Sequence, residues 1–325
     1  MYHNIVRNFN KERMKSVFLK SVSIPLELRL LRCLHPRMNI SSKDTQYYVN
    51  LEKGFEGELR FATWLEANLE GEYIILCDLL LEFNGTIFQI DCLLISQKTV
   101  YLYEVKNYEG DFYIEKDSWY TNSGEEINNP ILQVNRADMQ LRRYLQSLGY
   151  RFSVEPNLVF INPEFTLFNA PRNQPIQLPT QLNRFMKKLN MRQGKLHEKH
   201  SNLAQLLISA HISKSPISRV PTYAFDQLQK GIPCKKCNSL ETVQFVRDIV
   251  CSECGFSEKL EPAVMRCVED LQLLFPDKRI SVRIIQEWCR VIASKKAIRN
   301  ILSKNLTLIH NGKYSYYVDE SKINH

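Results

Sequence analysis

The sequence predicts a mixed α/β core, followed by a small ribbon and a short helical domain. Two observations lead to this fold class. In the first half of the chain, helical apolar spacing alternates with strand-like runs in the order helix, three strands, helix, strand. In the second half, two Cys-x-x-Cys pairs precede three helical segments and a hairpin signal. The core segments are residues 53–69, 73–81, 86–95, 99–106, 130–148 and 158–161.

Composition limits the class of protein. The 325 residues are 44% hydrophobic and carry a formal net charge of +8. This length suits two or three domains, and the charge favours a polyanionic partner such as nucleic acid. No apolar run reaches the roughly 18 residues of a membrane span, and residues 17–22 are too short for a signal peptide. We therefore expect a cytoplasmic protein with no membrane partner.

The two core helices each place one polar residue on an apolar face. Glu58 falls on the stripe formed by Phe55 and Leu65 in the first helix. Gln133 lies four residues before Ala137 in the second helix, so both point to the same side. Polar groups on buried faces are costly unless a partner or a function requires them.

Three ionisable residues interrupt the apolar strands in a similar way. Asp91 lies within the run 87–95, and Glu104 and Lys106 lie two residues apart in the next run. Because side chains alternate along a strand, Glu104 and Lys106 share one face while Val105 points to the other. Together these residues form the pattern D…E-x-K.

This pattern suits hydrolysis of phosphodiester bonds. Asp91 and Glu104 provide the carboxylate oxygens that Mg²⁺ (or Mn²⁺) prefers, with the Val105 carbonyl as a further ligand. Lys106 is placed to activate water or to pair with the phosphate. Glu58 and Gln133 point into the same region from the helices. A purely structural salt-bridge network is the alternative, because E-x-K by itself is common in strands.

These segments resemble the NERD (nuclease-related domain) family of the PD-(D/E)xK nuclease superfamily. The matching residues are 54–58, 89–91, 103–107 with Gly110, and 129–133, and the resemblance extends over about residues 25–162.

The resemblance implies a Mg²⁺-dependent nuclease core, a restriction-endonuclease-like mixed sheet flanked by helices. It assigns Glu58, Asp91, Glu104, Lys106 and Gln133 as the active-site positions. The superfamily's proline before the first acid is absent, because Ile90 precedes Asp91.

The two cysteine pairs predict a structural zinc site. Cys234 and Cys237 are separated by 13 residues from Cys251 and Cys254, and Gly255 follows the second pair. Four thiolates from two such turns can bind Zn²⁺ tetrahedrally and leave no open position for catalysis. The other cysteines are expected to be buried thiols: Cys33, Cys77, Cys92, Cys267 and Cys289.

The C-terminal segment resembles a winged helix, with three helices and a hairpin around Asn311-Gly312. Its third helix carries Lys295, Lys296 and Arg299, which we expect to contact nucleic-acid phosphates. A merely solvated helix face is the alternative.

The sequence thus predicts five segments. These are a lead-in (1–44), a NERD-like nuclease domain (45–165), a helical connector (166–229), a zinc ribbon (230–260) and a winged-helix-like domain (261–325). Residues 165–180, where the connector begins, are expected to be loop-like. The leading hypothesis is a Mg²⁺-dependent nuclease acting on DNA. The alternatives are a non-catalytic DNA-binding protein on a degenerate nuclease fold and an adaptor that binds a protein partner through its ribbon. DNA versus RNA and the oligomeric state stay open.

Overall fold

The computed structural model divides the chain into two compact units. Residues 25–49 and the described residues beyond 218 form the second unit, and the remaining described residues form the first. The residues that the structure describes are 16–192, 194–213, 219–312 and 314–319. The ends of the lead-in and of the C-terminal segment therefore lie outside the described residues.

The helices of the described chain are, in order, α1 Leu26–Leu34, α2 Ser42–Asn68, α3 Pro130–Ser147, α4 Leu182–Asn190, α5 Glu198–Ser209, α6 Leu260–Leu274, α7 Val282–Cys289 and α8 Lys295–Asn305. The strands of the first unit are β1 Val17–Lys20, β2 Ile74–Phe83, β3 Thr86–Ile95, β4 Thr99–Lys106, β5 Gly110–Glu115, β6 Ser118–Thr121, β7 Glu126–Ile127, β8 Ser153–Phe160, β9 Phe165–Phe168 and β10 Ile176–Gln177.

The first unit is built on a six-stranded mixed sheet in the order β1-β2-β3-β4-β8-β10. Strands β2, β3 and β4 form an antiparallel meander, while β1, β8 and β10 add in parallel. Asn84 and Gly85 connect β2 to β3 with φ of 49° and 74°, as a tight hairpin turn requires. The expected mixed α/β core is confirmed.

Helices cover both faces of this sheet. On one face, Leu102 shares a buried cluster with Val134 of α3, and helix α5 contributes to the same cluster. On the other face, Tyr103 is buried with Phe61 of α2 and Met186 of α4. Each large side chain buried in this way contributes about 1.5–3 kcal/mol, so both helix layers hold the sheet in place.

A smaller four-stranded sheet follows β4, in the order β7-β6-β5-β9. Strand β9 pairs in parallel with β5, and β10 pairs with β8 in the main sheet. The loop-like expectation for residues 165–180 is therefore wrong for these two strands. Both are short and lie near prolines, so their pairing depends on distant partners rather than on a local pattern.

The second unit combines α1 with the C-terminal third of the chain. Leu34 of α1 shares a buried cluster with Ile249 and Trp288. Arg37 is fully buried, lies 4.1 Å from the Trp288 ring centroid and is 3.7 Å from the Asp270 carboxylate. The five-segment division stays a prediction about the linear chain, while the contacts group α1 with the C-terminal helices.

The remaining strands lie in this unit, and they are β11 Thr242–Phe245, β12 Asp248–Cys251, β13 Ser257–Lys259, β14 Thr307–Ile309 and β15 Tyr316–Val318. Strands β11, β12 and β13 form an antiparallel ribbon, and β14 and β15 form a hairpin after α8. Ile280, between α6 and α7, bridges to Tyr317 of that hairpin. Three helices and a hairpin are thus present as expected, while the winged-helix resemblance stays a prediction.

Within the described part of the chain, no helix combines the length and apolar character needed to cross a bilayer.

Candidate active site and zinc site

The pairing of β2 with β3 in the main sheet is interrupted at two acidic residues, one on each strand. In the strand register, Cys77 pairs with Cys92 and Leu79 pairs with Ile90, yet the intervening residues Asp78 and Asp91 form no strand pair. Asp78 has a φ of 53°, the left-handed region that L residues rarely adopt. The interruption reverses the alternation of side chains, because Cys77 and Leu79 belong to clusters on opposite faces of the sheet.

Beyond this point β3 and β4 separate. Their ladder ends at the pair Cys92–Tyr103, whereas the pairing of β4 with β8 on its other edge continues to Lys106. The Asp91 carboxylate accepts a hydrogen bond of 2.8 Å from the Val105 N–H. Asp91, only 6% exposed, therefore lies between the diverging strands and beside the chain that carries Glu104.

Glu104 and Lys106 form a buried ion pair on one face of β4. Their Nζ and Oε1 atoms are 2.7 Å apart, and the Glu104 side chain is 2% exposed. Lys106 also donates a 2.9 Å hydrogen bond to Gln133 Oε1. Gln133 lies in the first turn of α3, where Pro130 and the side-chain cap of Asn129 fix the helix start.

Glu58 approaches the same group of charges from α2. Burial, followed by the Asp78 and Glu104 carboxylates, raises the pKa of Glu58 from 4.5 to about 7. Helix α2 reaches this position because Gly57 has no side chain. A Cβ at Gly57 would lie 2.6 Å from the Asn107 Cβ, and Asn107 also donates to the Lys53 carbonyl of α2.

The remaining carboxyls of the site are also hard to ionise. Burial, then repulsion by Glu104 and Glu58, raises the pKa of Asp91 well above its usual value. Burial raises the pKa of Glu104 too, and Lys106 and Gln133 offset part of that effect. For Lys106, burial acts to lower the pKa, but attraction by Glu104 and Asp91 outweighs it and the pKa is raised. Lys106 is therefore held as a cation.

The structure brings the five residues predicted from the sequence into one neighbourhood. Among the described residues, however, the only group of three or more potential metal ligands within 4.8 Å of one another is the cysteine cluster. The carboxylate oxygens of the site are therefore farther apart than those of three carboxylates that bind one metal ion.

Two charged residues of this neighbourhood escaped the sequence reasoning. Lys20 of β1 is 3.3 Å from the Asp78 carboxylate, and Ser23 donates to the same carboxylate at 2.8 Å. Asp78 could have been recognised from the sequence as a candidate site residue, because it is an acid inside the apolar run of β2. No local signal existed for Lys20, because β1 joins the sheet through a contact with a segment more than 50 residues away.

The four cysteines of the ribbon converge as predicted. Their sulfur atoms lie within 4.8 Å of one another, with 3.6 Å between Cys234 and Cys254 and between Cys237 and Cys251. Tetrahedral Zn²⁺ with Zn–S bonds of about 2.3 Å places its sulfur ligands about 3.8 Å apart. The donor set and spacing therefore fit a zinc ribbon. The five other cysteines are buried, as expected.

The predicted phosphate contacts lie on α8 of the second unit. Lys295, Lys296 and Arg299 are exposed, whereas Lys304 on the same helix is 2.8 Å from Glu261.

A mixed sheet whose central strands diverge at an acid, next to a Glu-x-Lys strand and flanked by helices, defines a nuclease-like core. Residues 53–161 match the family model NERD, described as "Nuclease-related domain". The chain thus contains a nuclease-related domain that extends from α2 through β8 and covers about a third of its length. No curated protein and no solved structure matches the chain.

Proposed function

We propose that the protein is a metal-dependent nuclease that hydrolyses phosphodiester bonds, with DNA as the expected substrate. The observation that supports it most is the position of Asp91, held by the Val105 N–H where β3 and β4 diverge, beside Glu104 and Lys106. The match of residues 53–161 to the nuclease-related domain supports the same class of activity.

The carboxylates fit a hard divalent cation. After burial, Glu104 raises the pKa of both Asp91 and Glu58, and Glu58 also raises the pKa of Asp91, so these negative charges are close enough to repel. Asp91 and Glu104 would hold Mg²⁺ (or Mn²⁺), a cation that takes oxygen ligands and keeps several waters. When bound, the metal lowers the pKa of a coordinated water and neutralises charge on the phosphate.

The other residues orient the reactants. Lys106 is a cation beside the carboxylates, so it would pair with the scissile phosphate and orient the attacking water. Gln133 accepts a hydrogen bond from Lys106 and fixes its position. Glu58, whose pKa of about 7 lies near physiological pH, would exchange protons with that water.

The test is cleavage of labelled DNA by the purified full chain with Mg²⁺ or Mn²⁺. We expect cleavage by the native protein and a loss of about 100-fold or more in Glu104→Gln. Glu82→Gln is the matched control, because Glu82 is exposed on β2 of the same sheet. Cleavage that survives Glu104→Gln would exclude this site, and no cleavage of any DNA or RNA by the native protein would exclude the function.

A second candidate is DNA binding without cleavage. It is favoured by the exposed cations on α8 and by the spacing of the carboxylates, which form no compact cluster of three ligands in the described chain. Salt-sensitive binding of DNA without any cleavage would favour this candidate.

A third candidate, a protein-binding adaptor, is favoured by three exposed apolar residues at the tip of the ribbon, Val243, Phe245 and Val246. Absence of any salt-sensitive nucleic-acid binding would favour it.

A further inference from the structure

A polar cleft of about 430 Å³ lies in the first unit, lined by residues other than the five of the candidate active site. Its floor is formed by Tyr101 of β4 and Asn157 of β8, and its wall is helix α4. Tyr101 precedes Glu104 by three residues on the same strand, which corresponds to about 10 Å along β4 and places the two side chains on opposite faces of the sheet. Tyr101 is buried with Met186 of α4, whereas Lys106 bonds Gln133 of α3. The cleft is therefore separate from the candidate active site, although both lie in the first unit.

Three cations line this cleft at intervals of four residues, two on α4 and one just after its end. Arg184 and Lys188 lie on one side of α4 and Arg192 follows the C-cap Met191, while Leu182 and Met186 are buried against the sheet. A spacing of four residues corresponds to about 6 Å along a helix, so Arg184 and Lys188 are about one turn apart and Arg192 extends the row beyond the helix.

Among the described residues, one carboxylate, Glu155, lines the cleft with the three cations. Glu155 bonds Arg192 through both carboxylate oxygens, at 3.0 and 2.8 Å. Arg184 and Lys188 are exposed and have no ion pair among the residues that the structure describes. The amides of Gln177 and Gln181 also line the cleft and add neutral hydrogen-bonding groups. The cleft therefore combines excess positive charge with polar donors, which suits phosphate esters and opposes apolar ligands.

We propose that this cleft binds the phosphate groups of a nucleic-acid strand, as a docking site on the face of the sheet opposite Glu104 and Lys106. The proposal rests on the proposed function and extends it to the path of the substrate. A row of cations tracks a phosphodiester backbone, and each phosphate contact adds salt-dependent affinity.

The experiment measures binding of a fluorescently labelled single-stranded DNA by anisotropy over a range of salt concentrations. The protein is the full chain with Glu104→Gln, without added divalent metal, so that no cleavage occurs. The double substitution Arg184→Gln/Lys188→Gln should weaken binding roughly 10-fold or more. It should also reduce the slope of log K against log salt by about 0.7 for each lost contact.

Two further variants separate binding from damage to the fold. Lys187→Gln removes the same charge from the next residue of α4, which is exposed but does not line the cleft, and should leave affinity unchanged. Glu155→Gln removes the one carboxylate that lines the cleft among the described residues and releases Arg192, so binding should tighten several-fold. A damaged fold would not raise affinity.

The proposal is overturned if Lys188→Gln behaves like Lys187→Gln and Glu155→Gln does not tighten binding. It is also overturned if a nucleoside monophosphate occupies the cleft as tightly as the oligonucleotide, because a strand should gain from several phosphates. Cleavage by the native protein is measured on the same DNA. Cleft-dependent binding without cleavage would remove the nuclease function alone, and cleavage with cleft-independent binding would remove this proposal alone.

Discussion

The Asp91 carboxylate accepts a 2.8 Å hydrogen bond from the Val105 N–H, across the gap where β3 and β4 separate. In a continuous sheet, a backbone carbonyl would be the partner for this N–H. The side chain of Asp91 thus takes over one backbone position and keeps the strands apart. A single residue contributes both to the local geometry of the sheet and to the group of carboxyls in the candidate site.

Substitutions of Asp91 should separate these two roles. In Asp91→Asn the amide oxygen can still accept from Val105, so the free energy of unfolding should stay near the native value. In Asp91→Ala the buried N–H loses its partner, which should cost about 1–3 kcal/mol. Urea unfolding without added divalent metal measures the difference. Equal stabilities of the two variants would mean that this hydrogen bond does not support the sheet.

Gly57 should be required for the close approach of α2 to β4. A Cβ there meets the Asn107 Cβ at 2.6 Å, so Gly57→Ala must displace the helix and should cost about 1–3 kcal/mol. Gly54→Ala, on the same helix with nothing within 4 Å of the added Cβ, should instead stabilise by up to about 1 kcal/mol. Thermal unfolding of both variants tests the contrast. A stabilising Gly57→Ala would contradict the packing described here.

Glu58 should make stability depend on pH. Its pKa is raised in the folded protein, so its contribution is fully present below pH 4.5 and is lost as the pH rises through about 7. Glu58→Gln removes a buried carboxylate that is costly to ionise. The variant should therefore be more stable than the native protein at pH 8, and this advantage should shrink toward pH 5.

Urea unfolding at both pH values, without added divalent metal, measures this difference. Glu56→Gln is a suitable control, since Glu56 is exposed on α2 and pairs with Arg60 at the surface. A pH-independent effect of Glu58→Gln would show that Glu58 ionises normally.

The zinc ribbon should need its metal. We expect about one zinc per chain by elemental analysis, since the four thiolates complete the tetrahedral coordination of a single zinc ion. Cys251→Ser should remove this zinc and lower the melting temperature of the second unit, because binding of structural zinc is coupled to folding. Cys289→Ser lies outside the cluster and should retain the zinc. Retention of zinc by Cys251→Ser would contradict the assignment.

The sequence predicted the central strands well. Strands β3 and β4 have the expected bounds, because each is a long apolar run bordered by turn residues. The shared face of Glu104 and Lys106 followed from simple periodicity, and so did the placement of Gln133 beside Lys106, although Gln133 is exposed rather than buried. The family match over residues 53–161 agrees with the resemblance drawn from these segments.

The features that sequence reasoning missed depend on contacts between distant segments. Strand β1 has four residues and is defined by its pairing with β2, and α1 packs on helices more than 200 residues away. The left-handed backbone at Asp78 reverses the side-chain alternation, which no period-2 pattern can anticipate. The sequence of α4 does not indicate the cleft that Arg184 and Lys188 line, because β4, β8 and β10 form the rest of it.

The central claim is that Asp91 and Glu104 hold a catalytic divalent metal. Crystals of the full chain soaked in Mn²⁺ and measured for anomalous scattering test it most directly. The account predicts a manganese peak between the two carboxylates that disappears in Glu104→Gln and persists in Glu82→Gln. Manganese bound elsewhere, with Glu104 still paired to Lys106 and no peak beside Asp91, would contradict it.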